Sequence, residues 1–273
     1  AMKNKKYIYS ILAAGLMAFA MQSCYQDLGQ TPGFDYPQQP PKAPIDETGQ
    51  IFHASFNVGF KDTVSGVSPT VVGTPTLSTG IISKAYTGAT GAYLTFKLSD
   101  LKATFGTDFT IGFWYKVNGT PDRAGIIVVG PPTSGAGADA QNNRTSGFRI
   151  FRENADGKQR IKANVGDGTG DTWLDGGSKG DVDPATAGWK YITLTMTTGT
   201  ATFYIDGDVV ATSSTFAKIS WTGCDIMSIG SGAPRFTEWG HYSDLSRIDD
   251  IRIYSKALTA AQIKEIVNHE SDN

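Results

Sequence analysis

Two stretches of the chain set flat aromatic rings among polar side chains. Trp173 stands between Asp171 and Asp175, while Phe236, Trp239 and Tyr242 lie beside Arg235, Glu238 and His241. That mixture suits a saccharide, which offers apolar C–H faces for stacking and a rim of hydroxyls for hydrogen bonding. Trp173, Trp239 and Tyr242 are therefore candidate stacking residues, and Asp171, Asp175 and Arg235 are candidate hydroxyl partners. The competing expectation is that the rings turn inward and pin their own loops.

Other chemistries find less support. His53, His241 and His269 are scattered, no H-E-x-x-H occurs, and the cysteines are Cys24 and Cys224 alone, which argues against a zinc site. Gly176-Gly177-Ser178-Lys179-Gly180 fits G-x-S-x-G. Its flanks, however, are Asp- and Gly-rich loop, and a nucleophile elbow needs a strand before and a helix after. Asp167, Asp171, Asp175, Asp181 and Asp183 crowd one Gly-rich stretch without EF-hand order, so a solvated loop is expected. Asp249 shares parity with Ile251 and Ile253, whose side chains should face a core. A carboxylate there must be hydrogen-bonded or bound to a cation. With 24 basic against 26 acidic residues, the chain lacks the basic excess a nucleic-acid binder needs.

The elements that must position these residues are strands. Asp outnumbers Glu by 21 to 5, and glycine reaches 32 of 273, a bias towards turns and strands over helices. Period-two alternation predicts strands over 50–57, 91–98, 108–117, 124–129, 147–153, 158–165, 190–197, 200–205, 208–213, 225–229 and 247–254. The run 190–197 reads as buried on one side, and Cys224 as a small apolar residue in a strand. Asp206-Gly207 marks a hairpin turn. Ser99–Phe105 could form a turn or two of helix. Thr259–Asn268 reads as a helix, with Thr259 and Gln262 as a capping box and Ile263, Ile266 and Val267 as an apolar stripe. The expected class is all-β, a two-sheet antiparallel jelly-roll β-sandwich with a short C-terminal helix. Three long connections, 130–146, 166–188 and 231–246, exceed ordinary loop length. The first is dominated by Gly, Pro, Ser, Ala and Asn and is expected to be mobile.

The N-terminal segment has a different character. Lys3, Lys5 and Lys6 precede an apolar run from Ile8 to Met21 that suits a signal-peptide core and is short for a membrane span. Met21-Gln22-Ser23-Cys24 looks like a lipobox, and resembles the looser boxes of Bacteroidetes lipoproteins. Residues 1–23 are thus expected to be a lipoprotein signal peptide, with Cys24 acylated and the protein held in the cell envelope at the outer membrane. A cleaved secretory signal with Cys24 paired to Cys224 is the alternative. Residues 24–48, with Pro32, Pro37, Pro40, Pro41 and Pro44, read as an extended tether, leaving 49–273 as one domain.

Five segments in order, FTIGFWYKV (109–117), GWKYITLTM (188–196), TFYIDGDVV (202–210), IMSIG (226–230) and IDDIRIYSKALTAAQI (248–263), resemble the concanavalin A-like lectin/glucanase superfamily in its laminin-G-like branch. The resemblance implies structural roles for Trp189, Gly207 and Ile229. It also implies a structural calcium in some members, for which Asp249 and Asn57 are the candidate ligands, with carbonyls completing the shell. Glycanases on this fold use ExDxxE or ExDxE, and Glu47, Glu153, Glu238, Glu265 and Glu270 do not compose either. The expectation is a monomeric, non-catalytic, polysaccharide- or oligosaccharide-binding lipoprotein. The alternatives are a glycoside hydrolase with Glu153 and Glu238 as a non-standard acid pair, and a protein-interaction or adhesion module.

Overall fold

The computed structural model describes residues 44–101, 103–134 and 142–271. The expected signal peptide, Cys24 and the tether up to residue 43 lie outside the described residues, as do residues 135–141 of the connection expected to be mobile.

The elements in chain order are β1 (Gln50–Ala54), β2 (Thr70–Val72), β3 (Thr76–Thr79), β4 (Lys84–Thr87), β5 (Tyr93–Lys97), β6 (Phe109–Lys116), β7 (Arg123–Gly130), β8 (Phe148–Ala155), β9 (Lys158–Gly166), β10 (Asp171–Leu174), β11 (Asp181–Val182), β12 (Lys190–Thr197), β13 (Thr200–Ile205), β14 (Asp208–Ser213), β15 (Ile226–Ile229), β16 (Arg247–Tyr254) and α1 (Ala260–Ser271). They form two antiparallel sheets. The first runs β14-β13-β12-β6-β16-β4-β3, with β1 also on β16; the second runs β10-β9-β8-β7-β15-β5-β2, with β11 sharing β9 with β10. The expected all-β jelly-roll sandwich with one C-terminal helix is what forms.

Alternation builds the core. Phe52, Ile111, Phe113, Ile192, Leu194, Phe203 and Ile253 face inward from the first sheet, and Leu94, Phe96, Ile127, Phe148, Ile150, Ile161 and Met227 meet them from the second. Asp206-Gly207 makes the β13–β14 turn with both residues at positive φ, 53° and 77°.

The outer face of the first sheet is also covered. Helix α1 lays Ile263 and Ile266 on Trp114, Tyr191 and Tyr254. Burying each large apolar side chain contributes about 1.5–3 kcal/mol. The Thr259–Gln262 capping box forms as expected, each backbone N–H reaching the other's side-chain oxygen, and contributes about 1 kcal/mol. Packing therefore outweighs capping in holding the helix. For the same reason β12 is buried on both sides, Tyr191 and Thr193 included, which corrects the one-sided reading.

Other expectations fail locally. Ser99–Phe105 gives a single turn, with Asp100 N–H donating to Lys97 O, and no helix among the described residues of that segment. Cys224 sits in the turn before β15, not in a strand, and burial pushes its thiol up to about 11. The 166–188 connection contains β10 and β11, which continue the second sheet. Asp249 is buried but does not face the inter-sheet core. Ile248 pairs with Tyr115 and Asp249 with Trp114, whereas Arg252 pairs with Gly112, so a β-bulge absorbs one extra residue between them. Asp250, at φ 50°, takes the bend. The bulge resets the parity on which the sequence expectation rested.

Candidate functional site

The outer face of the second sheet holds the residues that the sequence singled out. Phe148 and Ile150 point inward from β8, so Arg149, Phe151 and Glu153 alternate outward. Two segments lie across that face. Residues 231–246 are hydrogen-bonded to themselves through Gly232 N–H to His241 O and Phe236 N–H to Gly232 O. Phe236 is buried on Phe151 and Val128. The approach requires glycine beneath, because a Cβ on Gly125 would collide with the Gly232 backbone. Residues 142–146 pack likewise over Gly166, where a Cβ would meet the backbone of Thr145 and Ser146. The two segments are joined by Asn142 N–H donating to Glu238 Oε2 at 3.0 Å and Glu238 N–H donating to Asn142 Oδ1 at 3.3 Å.

Between them Trp173 and Trp239 come together, ring centroids 5.9 Å apart at 38°. Each rests edge-on against a buried ring, Trp173 on Phe151 and Trp239 on Phe236. They keep 44% and 38% of their surface exposed. The arrangement answers the competing expectation in halves: Phe236 folds inward and pins its loop, while both tryptophans stay at the surface.

Arg144 ties the pair together. Its guanidinium lies 5.6 Å from the Trp173 centroid and 4.8 Å from that of Trp239, a cation–π geometry. It donates to Asp171 Oδ2 at 3.0 Å and stands 4.0 Å from Glu238. Buried Arg149 anchors the segment that presents it, donating to the carbonyls of Asn143 and Ser146. Arg144 carries no signal in the sequence because it sits in a stretch of small residues without periodicity. Only the ladder pairing of β10 with β9, Trp173 opposite Asn164, brings Trp173 beneath it.

A second charged group adjoins the rings. His241 stacks on Phe236 at 4.6 Å, and its Nε2 lies 3.0 Å from Glu153 Oε1. Lys162 Nζ bridges Glu153 and Asp175, 3.0 Å from each. The hydrogen bond from His241, helped by Lys162, holds the Glu153 carboxyl down at about 2 despite its burial. A carboxylate so held is ionised at neutral pH and has no proton to give, so Glu153 is unsuited to be the acid of a glycosidase pair.

Of the other expected site residues, Arg235 forms a two-pronged ion pair with Asp225 over the exposed end of β15. Tyr242 is 57% exposed, and its carbonyl accepts from Gly125 N–H. The ring contacts that unite the two tryptophans do not include it.

The candidate calcium ligands meet at a different place, the turn between β3 and β4. Asp249 Oδ2 accepts from Ile81 and Ile82 N–H at 3.0 and 2.9 Å, and Asn57 Oδ1 accepts from Lys84 N–H at 3.2 Å. Asp249 Oδ1 is buried without a hydrogen-bond partner, and burial pushes the carboxyl up to about 7 against those amides. An orphaned buried carboxylate oxygen fits a cation. Among the described residues, no three His, Cys, Asp or Glu side chains are grouped to hold a metal, so such an ion would draw on carbonyl oxygens.

The laminin G family profile described as the concanavalin A-like lectin/glucanases superfamily matches residues 88–264. The chain belongs to this superfamily. Solved structures share its fold at low identity. Domain 4 of AbnA, a GH43 extracellular arabinanase from Geobacillus stearothermophilus, solved in complex with arabinotriose, is 18% identical with a TM-score of 0.57, over 80% of this chain and 98% of that one. The binding domain of Paraclostridial Mosquitocidal Protein 1 is 17% identical with a TM-score of 0.57, over 81% of this chain and 52% of that one. The binding domain of botulinum neurotoxin DC in complex with SialylT is 15% identical with a TM-score of 0.54, over 81% and 52%. The chain thus spans about half the length of the two toxin domains. No curated protein matches it. Among the described residues, no helix of this superfamily member is long and apolar enough to cross a membrane.

Proposed function

We propose that this protein binds glycan, without cleaving it, on the outer face of its second sheet. The observation that carries the reading is the exposed Trp173–Trp239 pair, held edge-on by buried rings and rimmed by Arg144 and Asp171. Two flat rings with free surface suit the C–H faces of successive sugar units, and the rim supplies donors and acceptors for hydroxyls. The superfamily and its fold neighbours, one solved with arabinotriose, support the same reading. Absence of a standard glycanase carboxylate motif supports the non-catalytic part. Acylation of Cys24 would hold the protein, as a monomer, at the outer membrane, and a calcium ion on Asp249 and Asn57 would brace the β3–β4 turn.

Affinity electrophoresis through gels containing arabinan, galactan, xylan and polygalacturonate tests binding. Retardation that Trp173→Ala or Trp239→Ala abolishes is the expected result. Equal mobility of parent and variants in every gel contradicts the proposal, and release of reducing ends from any of these polymers contradicts its non-catalytic part.

A further inference from the structure

The charges around the tryptophan pair carry information about which sugars fit. Arg144 is shared by Asp171 and Glu238, and Lys162 by Glu153 and Asp175. The two cations beside the rings are therefore each faced by two carboxylates. Two further cations, Arg149 and Arg123, keep their charge nearby but engage carbonyls with their N–H groups. Arg149 is buried and turned to the carbonyls of Asn143 and Ser146, and Arg123 donates to the Trp239 carbonyl. Lys162 is raised above the ordinary lysine value by its bonds to Asp175 and Glu153, although burial opposes this. It stays charged and paired at neutral pH.

We propose that the site selects neutral glycans and rejects uronate-, sialate- or sulfate-bearing ones. This rests on the glycan-binding reading above and adds the class of ligand. A ligand carboxylate placed on the tryptophan faces would stand beside Arg144, but also beside Asp171 and Glu238. Like charges lie well inside the screening length of about 8 Å at physiological salt. An acidic sugar reaching the Nη groups of Arg144 would still lie against Asp171, bonded to its Nε, and Glu238, 4.0 Å from its Nη1, whereas a neutral sugar can hydrogen-bond to those carboxylates as they stand. Hydroxyls are donors, and this rim offers several acceptor oxygens.

The test is isothermal titration of the full-length protein with matched oligosaccharides, neutral arabino- and galacto-oligomers against oligogalacturonates and hyaluronan oligomers. It is run at low and physiological salt. Neutral ligands are expected to bind at least about tenfold more tightly, with acidic ligands gaining relative to them as salt rises. In the paired variant Asp171→Asn with Glu238→Gln, the ratio of acidic to neutral affinity should rise about tenfold, because Arg144 is released to a ligand anion. Acidic oligomers binding as tightly as neutral ones, or an unchanged ratio in a paired variant whose melting confirms that it is folded, overturns the neutral selectivity and leaves glycan binding standing. No heat with either class, or Trp173→Ala binding like the parent, overturns glycan binding and this inference with it.

Discussion

On the outer face of the first sheet, Trp114 is 2% exposed and its indole N–H donates to Glu270 Oε2 at 2.5 Å. On the outer face of the second, Trp173 and Trp239 are 44% and 38% exposed and lie under Arg144. Both faces join tryptophan to an arginine–carboxylate network. On the first, Arg252 Nη1 lies 2.6 Å from both Asp250 and Glu270, and Asp250 in turn 2.6 Å from His53. The difference is the cover. Helix α1 supplies both Glu270 and an apolar lid to the first face, so its polar groups become internal wiring. The segments crossing the second face bury Phe236 but leave Trp239 and Trp173 partly exposed. The same residue types thus serve cohesion where they are closed off and remain available to a ligand where they are open.

The comparison breaks most sharply at Arg252. Replacing it with Ala leaves two buried carboxylates facing one another, and urea denaturation should show a loss of about 3–5 kcal/mol. Trp173→Ala on the open face should cost less than about 1 kcal/mol of stability, since its ring is already half exposed. The open face should instead fail in binding. Trp173→Ala or Trp239→Ala should weaken a neutral oligosaccharide by about thirtyfold, or ~2 kcal/mol, as expected for a central aromatic anchor.

Calcium sharpens the contrast at the edge of the first sheet. At ten times its Kd the ion should add about 1.4 kcal/mol to the stability of the parent. Thermal melts should show no such gain for Asp249→Asn. On the open face, Glu153 links stability to pH. Its carboxyl is held at about 2 in the folded state against an ordinary 4.5, so it contributes stability above pH 4.5 that is lost as pH falls towards 2. Partial exposure reduces that contribution to about 1 kcal/mol. Glu153→Gln should flatten the stability profile across this acid window and leave its shape above pH 5 unchanged. Smallest of all, Tyr242→Ala should alter glycan affinity by less than twofold in the same titration, because its ring does not join the tryptophan pair.

How much of this was legible in the sequence depended on the range of the information. Period-two runs such as Phe109–Lys116, the Asp206-Gly207 turn and the Thr259–Gln262 cap are local, and each formed where alternation or turn chemistry placed it. Trp173 and Trp239 were legible as types but not as partners, since 66 positions separate them in sequence and their meeting depends on the β9–β10 ladder. Arg144 offered no local signal at all. Asp249 misled because a bulge at Asp250 breaks the alternation without a glycine or proline to announce it. Arg235 read as a ligand donor from its neighbours, yet Asp225, ten residues away, engages it.

The most direct measurement is a titration of the 15N-labelled protein with a neutral arabino- or galacto-oligosaccharide, following the five tryptophan indole N–H signals. The Trp173 and Trp239 signals should move together and saturate, while that of Trp114, locked to Glu270, stays in place. Saturating shifts that spare Trp173 and Trp239, or no shift in any indole at millimolar sugar, would contradict glycan binding at the tryptophan pair.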